Sequence, residues 1–197
     1  MTVNGSKNSD NDFPEIAQTL ITYGAKINLR NKTGLTPLNL AVLGGKTHTL
    51  PILLKAKADP DIQNNYGWTP LITASSKGDL NIVNALLKAK ADPNIQANDG
   101  WTALHMTVNK NNDYSSIADT LIKNGIKMDA ENNNEMTALY LSIVNNSKKT
   151  NKVLKLAGAK YMGMFYVKMR RKVADKVCNI DNELSDELKA LRKKICR

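Results

Sequence analysis

The sequence predicts an all-α solenoid of helix pairs joined by short β-hairpin-like loops, with a helical cap at the carboxyl end. Three observations predict it. A shift of about 33 residues lays Gly34-Leu35-Thr36-Pro37-Leu38 over Gly67-Trp68-Thr69-Pro70-Leu71 and Gly100-Trp101-Thr102-Ala103-Leu104, which marks a repeat architecture. Apolar residues return at helical spacing inside the units, as in Ile82, Val83, Leu86 and Leu87. Glycine, or a lysine in its place, recurs in phase at the helix ends.

The first segment, 1–30, reads as a partial repeat. Met1-Thr2-Val3-Asn4 matches Met106-Thr107-Val108-Asn109, and Ile16-Ala17-Gln18-Thr19-Leu20-Ile21 matches Ile117-Ala118-Asp119-Thr120-Leu121-Ile122. The expectation is a piece of a longer array that starts inside a helix, a degenerate first unit being the alternative. In the unit 31–63, Thr36 caps a helix through its hydroxyl, and Pro37 occupies the first turn, where no backbone donor is required. Leu38, Leu40 and Ala41 should face a neighbour. The second helix carries Ile52, Leu53 and Leu54. Pro51 would cost ~3 kcal/mol in a helix interior, so this helix is expected to begin late, near Leu50.

In the unit 64–96, Asp79 caps the second helix. Lys57 and Lys90 stand where a helix end needs a left-handed residue, at roughly 1 kcal/mol each relative to glycine. The unit 97–131 lengthens the loop between its helices, Asn111-Asn112-Asp113-Tyr114, and regains Gly125 at the helix end. In the unit 132–160, Glu135 replaces the turn glycine, while Thr137-Ala138-Leu139 and Ala157-Gly158-Ala159 keep the frame. After Lys160 the period stops, and 161–197 reads as a basic amphipathic tail. Met162, Phe165, Met169, Val173 and Val177 would line one helix, and Leu184, Leu188, Leu191 and Ile195 a second. It is either a cap on the last repeat or a binding element for acidic lipid, RNA or protein.

The motifs Thr36-Pro37-Leu38-Asn39-Leu40-Ala41, Thr69-Pro70-Leu71-Ile72-Thr73-Ala74 and Thr102-Ala103-Leu104-His105-Met106-Thr107, with Ala-Asp-Pro-Asn-Ile-Gln ends, resemble ankyrin repeats. About four and a half repeats over 1–160 would be present. The resemblance implies antiparallel helix pairs with projecting hairpin loops, and binding of proteins through loop tips and the concave face of the first helices. It also implies that His105 bonds the loop of a neighbouring repeat.

Composition narrows function. Hydrophobic content of 42% with 5% aromatic suits a soluble helical chain, and no apolar run approaches the roughly 18 residues of a membrane span. Met1-Thr2-Val3-Asn4-Gly5-Ser6 lacks the basic start and apolar centre of a signal peptide, so a cytoplasmic location, or delivery into a host cell by other machinery, is expected. Cys178 and Cys196 lack zinc-ligand spacing and read as reduced thiols. The net charge of +10 reads as lysines scattered over a solvated surface, or as steering toward acidic partners. With His48 in a polar turn and no nucleophile or carboxylate placed beside either histidine, no catalytic constellation, metal or cofactor is expected.

What remains is a surface. Leu35, Trp68, Trp101 and Met136 recur once per repeat beside the turn, with Tyr66 and Asp99 close by in sequence; Leu43, Ser76, Lys77, Asn109 and Lys110 lie near this row on the first helices. The large side chains either pack on the adjacent hairpin or form an interface patch. The expected function is a monomeric protein-binding adaptor, one candidate role being that of a pathogen or symbiont effector. The alternatives are nucleic-acid or anionic-lipid binding by the tail, and a regulatory fragment of a larger enzyme.

Overall fold

The computed structural model describes residues 12–108 and 113–160. Nine helices occur among them: α1 Pro14–Thr22, α2 Pro37–Leu43, α3 Thr49–Lys55, α4 Pro70–Lys77, α5 Leu80–Lys88, α6 Ala103–Met106, α7 Ser115–Lys123, α8 Ala138–Val144 and α9 Lys148–Leu156. The helices expected at Met1-Asn4 and in the tail lie outside the described residues, as do both cysteines.

Each first helix opens on a threonine in extended conformation. The hydroxyls of Thr36, Thr69, Thr102 and Thr137 accept from the backbone N–H of Asn39, Ile72, His105 and Tyr140, each satisfying a donor that a helix start leaves open, worth typically ~1 kcal/mol. Pro37 and Pro70 follow at the first helical position. Pro51 is the third residue of α3, so its missing N–H falls in the first turn and costs no helical bond; the late start is observed, one residue before Leu50. Asp79 accepts from Ile82 N at 3.0 Å and starts α5.

Two caps were not legible in the sequence. Asp12 accepts from the backbone N–H of His48 and Thr49 and from the Thr49 hydroxyl. Asp113 does the same for Lys149, Thr150 and the Thr150 hydroxyl. Each carboxylate thus starts a second helix of the repeat that follows its own.

The helices pack in two rows. The first helices meet in the order α2, α4, α6, α8, and the second helices α1 with α3 and α5 with α7 and α9, while α2–α3, α4–α5, α6–α7 and α8–α9 close the pairs. Leu38, Leu71, Ile72, Leu86, Leu104, Leu121, Leu139 and Leu154 are buried between them, each contributing about 1.5–3 kcal/mol. Leu40 departs from expectation. It is 46% exposed and lines an apolar groove with Phe13, Ile16 and Leu20 of the α1 segment.

The loops are joined without a sheet; one isolated bridge, Glu131 with Thr137, is the only β pairing among the described residues. Side-chain ladders do the joining instead. Asn65, Asn98 and Asn133 each donate through Nδ2, at 3.0 Å, to the carbonyl of Lys32, Asn65 and Asn98 one repeat back. Gln63 and Gln96 each bridge two carbonyls, Gly67 with Gln96 and Gly100 with Glu131. A second row runs below, where Asn28, Asp61, Asn94 and Asp129 accept from the N–H of Asp59, Asp92, Lys127 and Lys160.

The turn glycine follows from this stacking. Gly67 has φ 78°, and a Cβ there would lie 2.5 Å from the Asn98 backbone nitrogen, so both conformation and space exclude a side chain. Glu135 adopts φ 60° at the equivalent place, where no described hairpin follows it. Lys57 and Lys90 have φ 63° and 69°, the left-handed helix ends expected of them.

Candidate functional site

The hairpin edge is built by asparagine. Asn64 Oδ1 accepts from Tyr66 N at 2.9 Å and Trp68 N at 3.0 Å, while Asn64 N donates to Trp68 O at 3.0 Å. This closed turn throws Tyr66 outward, 72% exposed. Asn31 holds Thr33 and Leu35 in the same way, and Asn132 holds Asn134 and Met136. In the remaining unit Ala97 takes the asparagine's place, and Asp99 accepts from Trp101 N instead.

The recurring apolar row lies half in and half out. Leu35, Trp68, Trp101 and Met136 are all half-buried, and the last three pack against the core. Trp101 leans on His105, ring centroids 5.7 Å apart and planes at 53°. Trp68 instead joins Asn64, Tyr66, Asn98 and Asp99 around an open pocket of about 410 Å³. The structure therefore brings Tyr66, Trp68 and Asp99 together, and places Trp101 outside the pocket lining.

Of the residues expected on the first helices, Ser76 is half-buried and Lys77 exposed in the last turn of α4. Asn109 and Lys110 lie outside the described residues. Leu43 and Val144, at the places equivalent to Ser76, are 49% and 60% exposed. Val144, Asn64 and Asn98 were missed in the sequence. The asparagines had a signal, Asn64 standing three residues before its turn glycine as Asn31 does and Asn98 two before its own as Asn65 does; Val144 had none.

His105 is buried and serves the stack. Its Nδ1 accepts from Thr102 N at 3.1 Å, which puts the proton on Nε2, and Nε2 then donates to Met136 O at 2.9 Å in the next unit. Burial pushes its pKa below the usual histidine value, although the Met136 bond and the Asp99 charge pull the other way. His48 is exposed, its Nδ1 3.3 Å from Asp12 Oδ2. No group of three metal-ligating side chains occurs among the described residues, and no helix there is long and apolar enough to cross a membrane.

Capped helix pairs, left-handed helix ends and a histidine tying one repeat to the next agree with a comparison against family models. The one described as "Ankyrin repeats (3 copies)" matches residues 6–97 and 74–162. The chain belongs to the ankyrin-repeat family. Ankyrin repeats are general protein–protein interaction modules and are typically non-enzymatic. No curated protein matches the chain.

Proposed function

We propose that this ankyrin array binds a partner protein at the hairpin edge, with Tyr66 and Trp68 as its apolar centre. The observation that carries the reading is the open pocket in which an exposed tyrosine, a half-buried tryptophan and the Asp99 carboxylate converge. Aromatic anchors concentrate interface energy, and a polar margin such as Asn98 and Asp99 supplies orientation. Leu35, Met136, Ser76 and Lys77 extend the surface to either side, and Trp101 contributes chiefly by holding His105 and the hairpin in place.

The test pairs a binding assay with a thermal melt. Tyr66→Ala should weaken capture of the array's protein partner by at least ~2 kcal/mol while leaving stability within ~0.5 kcal/mol. Trp101→Ala should lower the melting temperature more than Tyr66→Ala does. Undiminished capture by a Tyr66→Ala, Trp68→Ala double variant would sink the reading.

A further inference from the structure

The outward faces of the second helices change character at α9. In α5 the exposed row is Asn81, Asn84 and Lys88, and in α7 the row is Ser116, the half-buried Asp119 and Lys123; in α9 the equivalent places hold Lys149, Lys152 and Leu156. Lys148 and Lys155 are also exposed beside them, and α9 contains no acidic residue. Lys148, Lys152 and Lys155, at i, i+4 and i+7, fall on one side of the helix, opposite the buried Thr150 and Leu154.

This arrangement works against the helix that bears it. Like charges at i, i+4 repel, and two lysines in the first turn oppose the helix dipole. The carboxylate that faces Lys149, Asp113, is committed to the N–H groups of Lys149 and Thr150. An external anionic surface would offset these repulsions by attracting every one of the lysines.

We propose that the outward face of α9 docks on an anionic lipid bilayer. The face carries lysines for the headgroup charge and, in the same row, Leu156, 78% exposed, as an apolar contact for the headgroup boundary. It offers no aromatic side chain on which a nucleic-acid base could stack. This surface is separate from the hairpin edge, and the inference does not rest on the protein-binding reading.

The experiment is vesicle co-sedimentation of the full chain. Phosphatidylcholine vesicles containing phosphatidylserine should sediment it at low salt, and phosphatidylcholine alone should not. The variant Lys148→Gln, Lys149→Gln, Lys152→Gln should partition on the order of 100-fold more weakly, with a melting temperature equal to or above the parent's. Arginine at the same three positions should restore binding. The proposal is overturned if anionic vesicles leave the chain in the supernatant, if both vesicle types bind it equally, or if the glutamine variant binds like the parent. Tighter capture by a single-stranded RNA oligomer than by the anionic vesicles, lost in the same variant, would overturn the lipid as occupant.

Discussion

Asp113 and Thr150, 37 residues apart in the chain, are joined through a 2.7 Å hydrogen bond from the threonine hydroxyl to the carboxylate, and the same carboxylate accepts the Thr150 N–H at 2.8 Å. Asp12 and Thr49 repeat the arrangement. A helix start in one repeat is thus completed by a residue of the repeat before it, so the cap also couples neighbours.

Removing that carboxylate should destabilise the array. Asp113→Ala is expected to cost about 1–2 kcal/mol, the range for loss of a helix N-cap. Burial pushes the Asp113 carboxyl up, but the bonds from Thr150 and Lys149 outweigh it, so its pKa lies below the ordinary aspartate value of 3.8. With the folded value depressed, its stabilisation is complete above 3.8 and is lost as pH falls through the folded value. Denaturant melts of parent and variant at neutral pH check the magnitude, and an unchanged midpoint would refute the cap.

His105 gives a second pH dependence, at milder acidity. Its folded pKa is depressed below 6.5, so the unfolded chain binds the proton first, and stability is full above 6.5 and falls as pH drops through the folded value. His105→Asn should abolish this slope. Asn39, which occupies the same place in another repeat, shows that an amide can accept from the capping threonine's N–H, as its Oδ1 does at 2.9 Å from Thr36. At neutral pH the variant should be less stable by roughly 1 kcal/mol, a net hydrogen bond. Thermal melts from neutral to mildly acidic pH decide, and parallel slopes for parent and variant would exclude His105 as their source.

Left-handed positions should separate into two cost classes. Gly125 has φ 82° but open space around a prospective Cβ, so Gly125→Ala should cost only the backbone term, roughly 1 kcal/mol. Gly67→Ala adds the collision with the Asn98 backbone and should cost at least about 2 kcal/mol. Lys57→Gly and Lys90→Gly should stabilise by up to ~1 kcal/mol each. Equal destabilisation by the two alanine variants would show that the next hairpin does not confine Gly67.

The sequence by itself determined what depends on neighbours in the chain. The repeat period, the caps at Thr36 and Asp79, the harmless place of Pro51 and the left-handed Lys57 and Lys90 all follow from backbone sterics and hydrogen bonding within a few residues, and all were legible. The tertiary structure decided what depends on the repeat opposite. Asp12 and Asp113 became caps only because stacking carries each to a helix start about 36 residues away. Trp68 and Trp101 occupy equivalent places and read alike; one borders an open pocket and the other leans on His105, because only the second has a histidine on the helix behind it, where the first has Ile72. Gly67 is forbidden a side chain by the backbone of Asn98, a contact between repeats that packing alone creates.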